Sequence, residues 1–349
     1  MQAKAIFNQL KGALAPTIDA NGKSYLYFGG TAYLGIPQNE EFLSYYLKGI
    51  KQFGLNNGTS RNNNIQLGIY DQAEQHAARR FGAEAALISS SGYLAAQLTV
   101  KNLNGWGELR YAPNCHPALW INEEPKVNGS FADWAQNIVA EINTSKTQQW
   151  VVVSNSMNNL FPEIYDFSFL EQVDKHKQLL LIVDDSHGIG VNNQGLGAFV
   201  ALPKAPNIER IVVASMAKAL GVDAGLVLGG EKVIGQLKQS NEFLGASPPA
   251  AAGLFAFMQA DKIYTGELKK LNQLTKLLAS KLKQQKDWHF TPGFPVFFCK
   301  NADLSQQLME KDILVSAFPY PDKDGDIINR VVLSSWHSEA AIEELVTAL

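Results

Sequence analysis

The sequence predicts an α/β protein with two domains. The larger would hold a mixed, mostly parallel sheet flanked by helices, and the smaller would be α+β. Short apolar runs alternate with helical stretches through the middle of the chain, as in strands joined by crossover helices. This alternation stops at Pro248 and Pro249, after which a long helical stretch and a second group of strand-like runs follow.

In the first part of the chain, the predicted strands are short runs rich in Leu, Ile, Val and Ala. They cover residues 85–89, 149–154, 179–183, 211–214 and 224–228. Stretches with apolar residues at helical intervals precede, separate or follow these strands. These cover residues 74–81, 95–103, 166–176 and 232–243.

Beyond the two prolines, residues 251–285 read as a long helical stretch interrupted near residues 264–266. Three further strands are predicted at residues 295–299, 313–316 and 330–334, and a helix is predicted from Ser338. The resulting domain prediction is an N-terminal segment (1–45), a large domain (46–245) and a small domain (246–349).

Bulk composition narrows the class of protein. With 349 residues, 46% of them hydrophobic, the chain can bury a core larger than one ordinary domain. A net charge of −3 without a basic run argues against nucleic acid as a partner. Two cysteines without metal or redox spacing, no signal peptide and no membrane-length apolar stretch predict a cytoplasmic protein that does not enter a membrane.

Three chemically active side chains follow neighbouring predicted strands. Asp184 and His187 come directly after one apolar run, and Lys218 follows the next. Because the carboxyl ends of parallel strands meet at one edge of the sheet, these side chains should converge there. An amine, an acid for a ring nitrogen and a donor for a ring oxygen are the groups that a carbonyl cofactor held by a lysine requires.

Other interpretations of the same residues stay open at this point. Lysines are most often solvent-facing, and an Asp-Asp-Ser-His segment also suits a helix-capping turn or half of a metal site. The neighbours of Lys218 are small or apolar and include no acid, which favours burial. Burial would lower the pKa of its amine and keep it nucleophilic.

A phosphate site is predicted where the strand 85–89 passes into a helix. Free N–H groups and the positive end of the dipole at a helix start attract anions. Gly92 would let a phosphate approach the backbone, Ser91 adds a hydroxyl group, and Tyr93 would project beside the same pocket. An aldehyde and a phosphate occur together in pyridoxal 5'-phosphate (PLP).

Taken together, the motifs resemble the α-oxoamine synthase family of PLP enzymes, over nearly the whole chain. The similar segments, in chain order, are Tyr33-Leu34-Gly35, Gly58-Thr59-Ser60-Arg61, Ser91-Gly92-Tyr93, Asp184-Asp185-Ser186-His187-Gly188, Ser215-x-x-Lys218-x-x-Gly221 and Ser247-Pro248-Pro249. This resemblance implies the type I PLP-transferase fold and a homodimer with shared active sites, in which the N-terminal segment (1–45) joins the small lobe and the dimer interface. Within the family, the chain is closest in kind to the 8-amino-7-oxononanoate synthases and the 2-amino-3-ketobutyrate CoA ligases.

The resemblance also implies roles for individual residues. Lys218 would bond the cofactor aldehyde and move the α-proton of the substrate, and Asp184 would face the pyridine nitrogen. His116 would stack on the ring, while His187 and Ser156 would touch its phenolic oxygen. Ser91, Gly92 and Tyr93 with Ser215 would hold the phosphate, aided by Ser247 of a partner subunit. Arg330 would bind the substrate carboxylate, and no metal is expected.

The chain departs from the family pattern on the substrate side. Thr31 stands where the family has an asparagine, which places Thr31 among the expected substrate contacts. Ala112 and Ala118 replace polar residues around the predicted stacking histidine, and the loop at 154–159 is short and lacks a glutamate.

The expected activity is condensation of alanine or glycine with an acyl-CoA or acyl-carrier-protein thioester, with loss of carbon dioxide. A place in biotin biosynthesis accompanies the preferred choice of alanine and a pimeloyl thioester. An aminotransferase is the first alternative, because the departures touch the acyl-donor side. A binding protein that kept the fold without catalysis is the second.

Overall fold

The computed structural model describes residues 7–158, 160–320 and 324–349, without the side chain of Tyr320. Residues 1–6 of the predicted N-terminal segment and Asn159 of the short loop lie outside the described residues. Internal contacts divide the chain into two compact units. The large unit comprises Glu41–Asn158 and Ile164–Lys262, and the small unit comprises Met1–Glu40, Asn159–Glu163 and Ile263–Leu349. The domain boundaries after residues 45 and 245 stay a prediction.

Fourteen strands lie in the described part of the chain. In order, they are β1 (Thr17–Ala20), β2 (Lys23–Phe28), β3 (Ala85–Ser89), β4 (Glu108–Tyr111), β5 (Gln149–Asn155), β6 (Met157–Asn158), β7 (Glu163–Ile164), β8 (Gln178–Asp184), β9 (Ile208–Ser215), β10 (Gly225–Gly229), β11 (Trp288–Phe290), β12 (Val296–Cys299), β13 (Ile313–Tyr320) and β14 (Asp326–Val332).

Ten α-helices accompany these strands in the described residues. In order, they are α1 (Glu40–Phe53), α2 (Ile69–Phe81), α3 (Gly92–Leu103), α4 (Phe131–Thr144), α5 (Glu231–Leu237), α6 (Asn241–Gly245), α7 (Ala251–Gln259), α8 (Asp261–Leu282), α9 (Leu304–Met309) and α10 (Glu339–Ala348).

The large unit is organised around a six-stranded sheet in the order β3-β10-β9-β8-β5-β4. Strands β9, β8, β5 and β4 are mutually parallel, whereas β10 runs antiparallel to both of its neighbours, β3 and β9. The five consecutive residues from Leu179 to Val183 in β8 are all 0% exposed, so both faces of this central strand are covered. The predicted mixed, mostly parallel sheet is confirmed, and the α/β fold class with it.

The small unit contains a second six-stranded sheet in the order β1-β2-β13-β14-β12-β11. Its pairs are antiparallel except for β2 and β13, which are parallel. The three strands predicted beyond residue 290 are confirmed as β12, β13 and β14. Ser338 caps α10 by accepting a hydrogen bond from the backbone N–H of Ala341 at 3.1 Å.

Three of the predicted helical stretches need correction. Residues 166–176 contain only a 3₁₀ turn at Ser168–Gln172, because the Asp166 side chain accepts from the Ser168 backbone N–H (2.9 Å) and holds an Asx turn. The stretch 232–243 forms two helices, α5 and α6, because Ser240 starts the second one by capping the Phe243 N–H.

The long stretch from Ala251 breaks at Ala260, between α7 and α8, and not near residues 264–266. Gly266 lies inside α8 without a positive φ, so its presence did not end the helix. Ala260 closes α7 with a bond from its N–H to the Phe257 carbonyl, and α8 then starts with Asp261, an acid suited to a helix N-terminus.

Several elements carried too weak a signal to be predicted. These are the N-terminal hairpin β1–β2, the edge strands β4 and β11, and the helices α1 and α4. Each of these strands is at or next to a sheet edge. β2, β4 and β11 are mostly exposed or intermediate in burial, and β1 alternates between exposed and buried residues but is only 4 residues long. Within the described residues, no helix has the length and apolar character needed to cross a membrane.

Candidate active site

The predicted site residues of the large unit follow the ends of strands in its sheet. Asp184 ends β8 and Ser215 ends β9, while Ser156 follows β5, His116 follows β4, and Ser91 follows β3. In the sheet register, Asp184 is paired with Asn155 on one side and with Val213 on the other. The topology therefore brings these side chains to one edge of the sheet, as the sequence predicted.

Lys218 lies in the hairpin that connects β9 to the antiparallel β10. Backbone hydrogen bonds close this connection, from Met216 N–H to the Ala224 carbonyl (2.9 Å) and from Val222 N–H to the Met216 carbonyl (3.2 Å). Gly221 adopts a positive φ of 66°, which lets the chain turn back. The lysine is thus carried by a short, hydrogen-bonded turn.

The side chain of Lys218 is half-buried, and its amine makes no hydrogen bond or ion pair with the described residues. Desolvation by burial lowers the pKa of this amine, and the negative charges of Asp184 and Asp185 partly oppose that shift. An amine with a lowered pKa spends more time in its neutral, nucleophilic form. Such a group can form a covalent bond to an aldehyde.

Asp184 places a negative charge near the other site residues at this edge of the sheet. Its Oδ1 accepts a hydrogen bond from the Ser186 backbone N–H at 2.8 Å, which fixes the orientation of the carboxyl group. The charge of Asp184 acts to raise the pKa of both His116 and Lys218. Asp184, His116 and Lys218 therefore form one electrostatic cluster.

His116 is held by its loop in a defined orientation. Its backbone N–H donates to Asn155 Oδ1 (3.0 Å), and Asn155 Nδ2 donates to the Asn114 carbonyl (2.7 Å). The Nδ1 atom accepts from the Ala118 N–H (3.1 Å), so the neutral ring carries its proton on Nε2. The ring stays accessible to solvent, and desolvation by nearby protein atoms lowers its pKa. An accessible, neutral imidazole can stack on a planar ligand.

Ser156 and His187 lie beside Asp184. The backbone N–H of Ser156 donates to the Asp184 carbonyl (2.7 Å), and its carbonyl accepts from Tyr165 (3.0 Å). His187 is half-buried in the turn that follows β8. Both residues therefore lie near the acid, with Ser156 4% exposed, and their roles stay a prediction.

Asp185 is fully buried next to Asp184. Its Oδ2 accepts from the Ala198 N–H (2.7 Å). Burial raises the pKa of the Asp185 carboxyl to about 7, while the nearby Ser156 hydroxyl and the hydrogen bond from Ala198 act to lower it. Near neutral pH this group is therefore partly protonated, which reduces its repulsion of Asp184.

Residues 91–93 form the start of α3 as predicted. The Ser91 hydroxyl accepts from the Leu94 N–H at 3.1 Å, whereas the N–H groups of Gly92 and Tyr93 have no acceptor among the described residues. A Cβ atom on Gly92 would lie 2.6 Å from Ser215 Cβ, so only glycine allows this close approach. Tyr93 is 62% exposed. Two free N–H groups beside Ser215 provide donors for an anion.

The remaining predicted residues lie elsewhere in the chain. Ser247 is exposed in the loop between α6 and α7 of the large unit. Thr31 and Arg330 belong to the small unit. Arg330 is 7% exposed and lies over the Phe318 ring at 5.0 Å, and desolvation lowers its pKa. The electrostatic cluster at the sheet edge is made without these three residues.

Two contributors to the site were missed by the sequence reasoning. Asn155 ties the His116 loop to the end of β5, and Ser186 links Asp184 to Ser215. The hydroxyl of Ser186 accepts from the Ser215 N–H at 2.9 Å. Both residues are polar groups at strand ends, which is the signal that could have found them.

A family model and curated proteins match this chain over much of its length. The family model for aminotransferase class I and II matches residues 127–349. An 8-amino-7-oxononanoate synthase from Nitrosospira multiformis is 28% identical over 97% of this chain and 90% of its own length. The enzyme of the same name from Marinobacter nauticus is 26% identical over the same shares.

Solved structures show the same fold. Serine palmitoyltransferase from Sphingomonas wittichii superposes with a TM-score of 0.82 at 16% identity, covering 99% of this chain and 92% of that one. An 8-amino-7-oxononanoate synthase from Francisella tularensis gives 0.70 at 18% identity, covering 93% and 96%. A serine palmitoyltransferase from S. paucimobilis with a PLP-myriocin aldimine bound gives 0.83 at 15% identity, covering 99% and 93%.

The close approach of Gly92 to Ser215 gives the first prediction. Gly92→Ala would force α3 and β9 apart, because its Cβ has no room. We expect the affinity of the start of α3 for inorganic phosphate, measured by titration, to fall by about tenfold or more in this variant. Gly235→Ala is the matched control, since nothing lies within 4 Å of that position. Equal phosphate affinity in both variants would contradict the prediction.

The buried Asp185 gives a prediction about pH. Because its folded pKa of about 7 lies above the ordinary 3.8, the folded chain keeps a proton that the unfolded chain loses. The stability contributed by this group is therefore lost as pH rises from about 4 through 7. The free energy of unfolding of Asp185→Asn should therefore rise relative to that of the wild type across this window, by on the order of 2 kcal/mol.

The measurement is denaturant unfolding of both proteins between about pH 5 and pH 8.5. Asp184 and Lys218 also face the Asp185 carboxyl, and their opposing charges set where in this window the change falls. A difference in unfolding free energy that stays constant with pH would show that Asp185 does not titrate there.

Proposed function

The chain belongs to the aminotransferase class I and II family, and from this premise we propose that it is a PLP-dependent C-acyltransferase of the α-oxoamine synthase type. The proposed substrates are a small amino acid, alanine or glycine, and an acyl-CoA or acyl-carrier-protein thioester. The single observation that carries the proposal is the Lys218 amine, which is desolvated, makes no hydrogen bond or ion pair with the described residues, and has a lowered pKa beside Asp184.

The residues at the sheet edge fit PLP. Lys218 supplies an amine for the aldehyde, and Asp184 supplies an acid for the pyridine nitrogen. The free N–H groups of Gly92 and Tyr93, with Ser91 and Ser215, would hold the phosphate. When bound, PLP supplies an electron sink that stabilises negative charge on the α-carbon of an amino acid.

Each residue then has a defined task. Asp184 would keep the ring nitrogen protonated, since its carboxyl is already oriented by Ser186. His116, fixed by Asn155, would cover one face of the ring. His187 and Ser156 would contact its phenolic oxygen. Lys218 would take the proton from the α-carbon, because a lowered pKa suits an amine to general base work near neutral pH.

The reaction needs one proton from solvent besides the one that Lys218 takes from the α-carbon. A bond forms between the α-carbon of the amino acid and the acyl carbonyl carbon, the C–S bond of the thioester breaks, and the thiol leaves with one of these protons. The bond from the α-carbon to the carboxylate then breaks with loss of carbon dioxide, and the second proton goes to the α-carbon to give an α-aminoketone. Two 8-amino-7-oxononanoate synthases matched over 97% of this chain support alanine and a pimeloyl thioester as the first pair to test.

Arg330 is proposed to bind the substrate carboxylate, and Thr31 to contact the amino acid. The guanidinium of Arg330 is a fork-shaped donor suited to a carboxylate. Its packing over the Phe318 ring limits the conformations of the side chain, so less freedom would be lost when a ligand binds.

A homodimer is the proposed assembly, with Ser247 of the partner subunit completing the phosphate site. The large unit exposes several large apolar side chains. Leu43 and Leu47, one turn apart on α1, are 55% and 49% exposed, and Leu55 and Ile65 are 78% and 75% exposed. Exposed apolar groups of this kind are typical of surfaces that pack against another chain.

The reaction is tested by mixing the PLP-loaded protein with alanine or glycine and an acyl-CoA, and then following free thiol. Lys218→Arg should lower the rate by about a thousandfold or more, whereas Lys204→Arg, at an exposed site, should keep it. Hydride reduction followed by mass spectrometry should place the pyridoxyl group on residue 218. No thiol release with either amino acid would overturn the proposed activity, and amino-group transfer to a keto acid would favour an aminotransferase.

The assembly is tested by replacing two leucines on α1. Leu43→Asp with Leu47→Asp should convert the dimer to a monomer, because two buried carboxylates would oppose packing. Light scattering after size-exclusion chromatography gives the mass. Ile327→Asp, at a 41% exposed residue of the small unit, is the control and should stay dimeric. If the double variant keeps the mass of the wild type, α1 is not the interface.

A further inference from the structure

Ser186 lies between two residues of the proposed PLP site. These are Asp184, which would contact the ring and is called the ring anchor, and Ser215, which would contact the phosphate and is called the phosphate anchor. Its side chain is buried, at 8% exposed. Its backbone N–H donates to Asp184 Oδ1 at 2.8 Å, and its hydroxyl oxygen accepts from the Ser215 N–H at 2.9 Å. One residue thus contacts the side chain of the ring anchor and the backbone of the phosphate anchor.

The bond to Ser215 matters because the strand ladder ends there. Strands β8 and β9 are paired as far as Asp184 and Val213, and the Asp185 N–H donates to the Val213 carbonyl (2.8 Å). Beyond this point, the Ser186 hydroxyl takes the place of a ladder acceptor for Ser215. Without that oxygen, the part-buried Ser215 N–H would lose its acceptor in the protein.

The position of Ser215 is passed on directly to the start of α3. Gly92 is packed so closely on Ser215 that a Cβ would lie 2.7 Å from its Cα. A small displacement of Ser215 would therefore move the free N–H groups of Gly92 and Tyr93 relative to Asp184. The distance between ring anchor and phosphate anchor depends on this chain of contacts.

We propose that Ser186 is a positioning residue that sets the spacing between Asp184 and the phosphate-binding groups at Ser215 and Gly92. This inference rests on the proposed PLP site and adds to it a residue that, in this role, touches neither ring nor phosphate. Its hydroxyl acts as an acceptor for Ser215, so it matters most for ligands that engage both anchors at once.

The test compares affinities for PLP and for pyridoxal, which lacks the phosphate. Ser186→Ala should weaken PLP binding by about tenfold or more, and pyridoxal binding by less than about threefold. Ser186→Thr keeps the hydroxyl and should restore PLP affinity to within about threefold of the wild type. Equal weakening of both ligands by Ser186→Ala, or no weakening of PLP, would overturn the proposal.

Ser240→Ala is the matched control. Ser240 is also 8% exposed in the large unit, and its hydroxyl also accepts a backbone N–H, that of Phe243, at 3.3 Å. It should lower thermal stability while leaving the ratio of the two affinities unchanged. A change in this ratio as large as that of Ser186→Ala would show that the effect is general destabilisation, and would also overturn the proposal.

A second readout does not depend on cofactor binding. Amide hydrogen exchange of a peptide covering residues 210–220 reports the Ser215 N–H in the protein without cofactor. Exchange should be faster by about tenfold in Ser186→Ala than in the wild type and in Ser186→Thr. If the wild type binds no PLP, the proposed function fails, while unchanged exchange in Ser186→Ala is the result that rejects Ser186 as a positioning residue.

Discussion

The candidate site depends on the desolvation of one amine next to acidic groups. Desolvation lowers the pKa of Lys218, and the charges of Asp184 and Asp185 limit how far it falls. This balance is possible because Asp184 ends β8 while Lys218 follows the adjacent β9. A site with the lysine but without the nearby acids would have a neutral amine and no acid to contact a ring nitrogen. A site with the acids but without the desolvated lysine would have no amine to bond an aldehyde.

The elements that could be predicted from sequence are those in which burial dominates. The central strands are covered on both faces, so they read as continuous apolar runs and were found with small errors at their ends. Edge strands such as β4 are intermediate in burial along their whole length, and their pattern is too mixed to read. The helix breaks depend on local hydrogen bonds, such as the one by which Ser240 caps α6. These bonds differ little in free energy from continuation of the helix, so the sequence pattern did not reveal them.

The site divides in the same way. Asp184, Lys218 and Ser91 could be found because strand order brings the residues after each strand to one edge of the sheet. Contacts that require the actual fold could not be read, such as the clamp of Asn155 on the His116 loop and the packing of Gly92 on Ser215. The roles of His116, Ser156 and Arg330 came from resemblance to a family, and the structure adds the local contacts on which those proposals now rest.

The reversed strand β10 has a consequence for motion at the site. Because β10 runs antiparallel to β9, the chain returns to the sheet through a closed turn instead of a long crossover helix. Short connections of this kind have little freedom to move as a whole. The backbone that carries Lys218 is therefore restrained by these hydrogen bonds, and rotation about the methylene groups of the side chain is the main way for its nitrogen to change position.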